Sequence, residues 1–171
     1  IDGIMSLAAA SNEDLATTSD IVTDALTAFG LKASDSGHFA DVLAQASANA
    51  NTNVGMMGES FKYVAPVAGA LKYSVEDVSL ALGLMANASV KGSMAGTSLK
   101  TSLANMAAPT DKMEAAMDKY GISLTKRNGE MKTMHEVLDN LRSSLGGLSE
   151  TEQTAAASTI FGKEAMAGML A

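Results

Sequence analysis

Ser74-Val75-Glu76-Asp77-Val78-Ser79-Leu80-Ala81-Leu82-Gly83-Leu84-Met85 is the stretch on which the fold class turns. Serine offers an oxygen to the free N–H groups that begin a helix. Glu76 and Asp77 then fall in the first turn, where the helix dipole favours negative charge. Val78, Leu82 and Met85 return at three- and four-residue spacing and make one inward stripe, the period of an amphipathic helix.

The same pattern extends upstream. Ser11-Asn12-Glu13-Asp14 reads as a helix start; Leu15, Ile21, Val22, Ala25, Leu26 and Phe29 follow at helical spacing, and Gly30 stops the helix. Ser34-Asp35-Ser36 opens another, with Phe39, Val42, Leu43 and Ala46 on one face, and the chain then breaks at polar residues from Asn49 to Asn53. Met57, Phe61, Val64, Ala68 and Leu71 form a third stripe, in which Pro66 predicts a kink or a new helix start because it has no N–H to donate.

Downstream, Ser93 opens a helix carrying Leu99, Leu103 and Met106 that ends before Pro109. Thr110 caps a short helix to Tyr120, terminated by Gly121. Thr133 caps a helix with Met134, Val137, Leu138, Leu141 and Leu145 inward, ended by Gly146-Gly147. Ser149-Glu150-Thr151-Glu152 opens the last long helix, which runs to Ile160-Phe161 and breaks at Gly162.

One segment changes period. Ile122-Ser123-Leu124-Thr125 and Glu130-Met131-Lys132 flank Arg127-Asn128-Gly129, and Asn-Gly supplies the positive φ angles of a tight hairpin turn. The expected fold is therefore all-α, with multiple short helices packed as helical hairpins and one small β-hairpin near 122–132. Residues 1–171 are expected to form a single helical domain. A repeat is also visible: Leu31-Lys32-Ala33-Ser34-Asp35-Ser36-Gly37 is similar to Val90-Lys91-Gly92-Ser93-Met94-Ala95-Gly96. It reads either as a repeated helix–turn–helix unit or as chance similarity in a chain rich in Ala and Ser.

Composition narrows the function classes. The net charge is −7, so a sequence-independent groove for a phosphate backbone is not expected. The chain has no Cys, which excludes disulfides and thiolate metal sites. Aromatics are only 4% and there is no Trp, whereas Met reaches 12; small residues and Met suit short helices that approach closely around a thin core. No apolar run approaches the length of a membrane span, and Asn87 stops the run Leu80–Ala86. No secretory signal is read, and the first and last residues, Ile1 and Ala171, look like cuts from a longer polypeptide.

Catalytic patterns fail one by one. His135-Glu136 begins like a zinc-protease helix, but Asp139 stands where the second His is needed. With His38 the only other histidine, a two- or three-His metal site cannot be built reliably. Gly92-Ser93-Met94-Ala95-Gly96-Thr97 has the glycines of a phosphate loop, but Lys91 precedes them instead of following the second. The acid pairs Glu13/Asp14 and Glu76/Asp77 sit where helix dipoles favour acids anyway. Phe61-Lys62-Tyr63 and Lys72-Tyr73 put aromatics beside lysines, but without the positive groove that base stacking needs. No Gly-x-Ser-x-Gly elbow occurs. No catalytic, cofactor-binding or metal-binding residue is assigned, and no enzyme activity is expected.

Three stretches resemble the core region of phage tail tape measure proteins. Lys91-Gly92-Ser93-Met94-Ala95-Gly96-Thr97-Ser98-Leu99-Lys100, running on to Ala108-Pro109-Thr110, is similar to that family's Gly-Ser-x-Ala-Gly-Thr opening, helix and Pro-Thr stop. Gly121-Ile122-Ser123 with the Asn128-Gly129 turn and the following helix is the second, and Ile160-Phe161-Gly162-Lys163-Glu164-Ala165 the third. Upstream, Leu7-Ala8-Ala9-Ala10 to Phe29-Gly30-Leu31 and the stretch from Phe61 to Leu71 are similar as well. Ser89 departs from the pattern, which usually has Gly before the Val-Lys-Gly.

The resemblance implies a long, mostly helical structural protein of a phage or prophage, held inside the tail tube, which sets tail length as tube subunits polymerise. It implies tail tube protein, tail assembly chaperones, tail tip or hub proteins and further copies of itself as partners, with no sequence-specific nucleic acid and no membrane contact by this segment. It places the protein in the virion tail, and in the host bacterial cytoplasm during assembly. It implies no cofactor. Its contact positions would be Gly92, Ala95, Gly96 and Leu99, chiefly as structural positions. A helical scaffold or adaptor module of a large bacterial surface or secreted protein would share the composition and remains the alternative at this point.

Overall fold

The computed structural model describes residues 2–171, and ten α-helices run through them. They are α1 (Asp2–Ser11), α2 (Leu15–Phe29), α3 (Ser36–Asn49), α4 (Val54–Ala70), α5 (Val75–Asn87), α6 (Gly92–Ala107), α7 (Asp111–Tyr120), α8 (Met134–Leu145), α9 (Glu150–Phe161) and α10 (Lys163–Met169). A short 3-10 turn, Ala33–Asp35, leads into α3.

Most helix starts are fixed by a side chain that accepts an otherwise orphaned N–H. Asp14, Asn53 and Thr110 do this for α2, α4 and α7. Ser74 with Asp77, Thr133 with Glu136 and Ser149 with Glu152 form reciprocal capping boxes on α5, α8 and α9.

Four helix ends share one turn. A left-handed residue follows the helix, and the next N–H bonds back to the carbonyl five residues earlier: Leu31 to Leu26, Tyr73 to Ala68, Val90 to Met85 and Ile122 to Met117. The left-handed residues are Gly30, Lys72, Ser89 and Gly121. Tyr73, Val90 and Ile122 are buried, so three of the four turns press an apolar residue into the core as they reverse the chain, whereas Leu31 stays exposed. The two similar stretches noted in the sequence coincide with this geometry. Gly30 and Ser89 are both left-handed, and Lys32 and Lys91 are both extended before the next helical segment.

α4 occupies the centre and packs most extensively against α6 and α2, with α3 and α5 also touching it. Phe61 of α4 anchors the aromatic part of the core, edge-on to Phe39 at 5.3 Å and to Phe29 at 6.0 Å. The buried cluster extends from Leu7 in α1 to Ala165 in α10.

All-α holds, but the expected β-hairpin does not form, and no strand occurs among the described residues. Between Ile122 and Lys132 there is only one isolated antiparallel bridge, Thr125 with Met131. Gly129 N–H closes the turn on Lys126 O at 3.0 Å, and Gly129 has φ +87° while Asn128 stays at negative φ. The type I′ turn that Asn-Gly favours needs positive φ at both centres; the turn here instead centres on Arg127 and Asn128, with Gly129 following it. Asn140 of α8 then competes for the backbone. Its Oδ1 accepts from Ser123 N–H at 3.1 Å, and its Nδ2 donates to Gly121 O at 2.9 Å. Two main-chain bonds, Lys126 N–H to Glu130 O at 2.7 Å and Lys132 N–H to Leu124 O at 2.8 Å, cross the segment beside that bridge, and Asn140 ties its first leg to α8 before the pairing extends into strands.

Three smaller differences stand beside it. α4 runs through Pro66 as a single helix; Pro66 lies near its C-terminal end on the exposed side. Pattern reading also passed over α1 and α10, the first and last helices.

Candidate functional site

Gly92, Ala95, Gly96 and Leu99 all lie in the first half of α6, where it crosses α4. Gly92 has φ +58° and begins the helix after the extended Lys91. Ala95 and Leu99 are each 1% exposed and face the core. Gly96 packs directly on the main chain of Ser60: a Cβ there would run into the Ser60 carbonyl oxygen and stand 2.9 Å from its Cα. Ser60 is itself buried, and its hydroxyl donates to Gly92 O at 2.6 Å, fastening the start of α6 to the middle of α4. Ser60 was not singled out from sequence, because nothing in the spacing of one serine shows which helix will cross it.

The crossing belongs to a wider pattern of small residues at helix contacts. A Cβ on Gly69 would collide with the Ala28 carbonyl oxygen of α2, and one on Gly168 would meet Ser98 Cβ of α6 at 2.7 Å. Close approach of backbones is what Gly and Ser permit.

The Gly92–Thr97 segment is the start of α6 and not a phosphate-cradling loop: from Ala95 on its N–H groups are spent within the helix, and Thr97, not Lys, follows Gly96. A surface notch of about 350 Å³ between Gly55, Met56, Glu59, Lys91, Gly92 and Ser93 lies beside it. His135 pairs with Asp139 one turn on, at 3.4 Å, and both are exposed. His38 pairs with Glu76 across helices α3 and α5. No group of three or more His, Cys, Asp or Glu suited to a metal ion occurs among the described residues.

Perturbed acids belong mostly to helix starts. Hydrogen bonds from the Thr17 side chain and backbone hold Asp14 below the usual carboxylate range. The Thr133 amide, aided by Lys126, does the same for Glu136, and the Ser149 hydroxyl and amide do so for Glu152. For Glu76, burial pushes upward, but its hydrogen bonds, including that with His38, bring the net shift below the ordinary value. Tyr73 is pushed up to about 12, first by burial and then by the charge of Asp77.

A second concavity lies between α3 and α5, about 330 Å³ in volume, with Val42, Ala46, Ser79, Leu80, Gly83 and Leu84 among its lining. Leu80 and Leu84 went unremarked as surface residues. The available signal was that α5 is apolar nearly all round, more than a one-sided stripe needs.

The family described as phage-related minor tail protein matches residues 1–162. A protein named tape measure protein from Pneumococcus phage Dp-1 is 40% identical over 99% of this chain, and the match covers 15% of that protein. A probable tape measure protein from Escherichia phage P2 is 26% identical over 94% of this chain, covering 20% of its own length. The chain thus spans a fifth or less of the curated relatives it matches. No solved structure matches it.

Proposed function

Because this chain belongs to the phage-related minor tail protein family, we propose that it is a structural segment of a tape measure protein, acting in tail tube assembly and tail length determination. It works without chemistry of its own, in the virion tail and, during assembly, in the host bacterial cytoplasm. Its partners on this reading are the tail tube protein, tail assembly chaperones, tail tip or hub proteins and further copies of the chain. Gly92, Ala95, Gly96 and Leu99 act as structural positions that set the α4–α6 crossing on which partner surfaces depend.

Within that role we infer that residues 1–171 are one helical domain serving recruitment or initiation, with the measuring length supplied by other stretches of a longer protein. The observation that supports this is the repeated reversal of the chain at Gly30, Lys72, Ser89 and Gly121, with α4 packed against both α2 and α6. As one straight helix, a chain of this length would reach roughly 260 Å. Folded compactly, its radius of gyration is about 16 Å.

Deletion of residues 1–171 from the phage gene, read by electron microscopy of lysates, tests the reading. Loss of tails is the expected result. Viable phage with tails shortened by the full helical length would make the segment part of the ruler and sink the recruitment role. Viable phage with tails of normal length would remove it from tail assembly altogether.

A further inference from the structure

Asn128-Gly129 is the one place in the sequence where glycine follows asparagine. Glycine has no side chain to shield its main-chain nitrogen, so that nitrogen can reach the carboxamide carbon of the asparagine before it and close an imide ring. The pair lies at the tip of the loop between α7 and α8. Residues 125–131 are all exposed, whereas Leu124 just before them is buried.

In the closed loop both reacting groups are engaged. Gly129 N–H donates to Lys126 O at 3.0 Å. Asn128 is clasped twice by Glu130: its Nδ2 donates to Glu130 Oε2 at 2.8 Å, and its Oδ1 accepts from Glu130 N–H at 3.1 Å. The loop must therefore open before the ring can close. Opening the tip breaks solvent-accessible hydrogen bonds and moves no core residue, which places it at the low-cost end of local unfolding. The clasp on Asn128, not the helical core, then sets the rate.

We propose that Asn128 is a self-modification site, converted to aspartate and isoaspartate by its neighbour Gly129 and gated by Glu130. The Gly129 nitrogen gives its proton to solvent and attacks Asn128 Cγ. A C–N bond forms, the Cγ–Nδ2 bond breaks, and ammonia leaves with a proton taken back from solvent. Water then opens the imide at either carbonyl, and no electron changes hands. The new carboxylate lies beside Glu130 where an N–H donor stood, so repulsion replaces a hydrogen bond. The isoaspartyl product also adds a CH2 to the main chain inside the loop. That shifts Lys126 N–H off Glu130 O and Thr125 off Met131. The loop joining α7 to α8 thus loosens once and irreversibly as the chain ages.

The test incubates the folded chain in mildly alkaline water enriched in heavy oxygen, then digests it for peptide mass spectrometry. Asn128 should convert before any other asparagine, with one heavy oxygen entering each product, and enzymatic methylation of isoaspartate should label the same peptide. Amide exchange at Lys126 should speed up in the converted chain. Glu130→Ala should convert faster by about two- to tenfold, the worth of one modest hydrogen bond, with circular dichroism confirming an unchanged fold. The chain unfolded in urea should convert faster still, and Asn128→Gln should leave the peptide unlabelled. A folded chain that keeps Asn128 intact while other asparagines convert would overturn the proposal. So would a Glu130→Ala rate equal to that of the parent, or equal rates for the folded and unfolded chains, since either would leave Glu130 with no gate to hold.

Discussion

Asp77 Oδ1 accepts the main-chain N–H of Met134 at 3.3 Å, so a residue in the first turn of α5 also caps the start of α8. Its Oδ2 meanwhile accepts from Ser74 N–H at 3.2 Å, closing the box on its own helix. One carboxylate therefore satisfies orphaned donors of two helices and fixes how α8 docks on α5. Asp77→Ala should destabilise by about 1–2 kcal/mol, the cost of a lost cap. Hydrogen exchange should accelerate at Met134 as well as at Ser74. Exchange that rises at Ser74 alone would mean that the link to α8 contributes nothing.

Gly96 and Gly37 should respond to alanine with opposite signs. Alanine gains roughly 0.5–1 kcal/mol over glycine inside a helix. At Gly37, an added Cβ meets nothing within 4 Å, so Gly37→Ala should raise the melting temperature. At Gly96, the Cβ would drive into the Ser60 backbone, which cannot rotate away as a side chain can. Gly96→Ala should lower stability, and Gly96→Leu should cost about 1–3 kcal/mol or more through overpacking. Equal melting temperatures for Gly96→Leu and the parent chain would remove the packing role.

Acid should weaken the fold through its caps. Asp14, Glu76, Glu136 and Glu152 all lie below their ordinary values of 3.8 or 4.5 in the folded chain. A carboxyl with a depressed folded pKa binds its proton more readily when unfolded. The stability it contributes is therefore present above the unfolded pKa and is lost as pH falls through the folded one. Urea midpoints should hold level from neutral pH to near 5 and fall below about 4.5. Glu136→Gln, which keeps an acceptor at the cap but has no charge to titrate, should make that fall shallower. An unchanged slope would show that the Thr133 amide does not distinguish charge from dipole.

The helix starts were legible because capping is local chemistry. Ser74, Thr110, Thr133 and Ser149 each lie beside the N–H groups they satisfy, so three or four residues of sequence contain the whole interaction. Gly30 and Gly121 were legible as stops for the same reason. Lys72 and Ser89 were not, because only the pull of Tyr73 and Val90 into the core makes those residues adopt a left-handed conformation. Ile122 to Lys132 misled because local turn chemistry was judged without Asn140, which arrives from the next helix. The four α6 positions were located by resemblance, whereas their partner Ser60 lies 36 residues before Gly96, at a contact that only the packing of α4 on α6 creates.

Ser89 offers the sharpest test of the turns. It has φ +70°, at the position where the resemblance leads one to expect glycine. Its backbone still closes the turn: Ser89 N–H bonds to Ala86 O at 3.0 Å, and Val90 N–H to Met85 O at 2.9 Å. A left-handed L-residue costs roughly 1–2 kcal/mol, part of which glycine gives back as entropy of the unfolded chain. Ser89→Gly should therefore stabilise by about 0.5–1 kcal/mol, which for a domain of this size is a rise of about 1–4 °C in melting temperature. Ser89→Val should do the reverse, because a β-branched residue fits positive φ worst. The urea slope should stay constant in both variants, since neither changes the surface exposed on unfolding. Should glycine prove neutral or destabilising here, the strain assigned to Ser89 is absent. The turn from α5 to α6 would then be held by the burial of Val90 alone, and Val90→Ala would become the variant that uncouples the two helices.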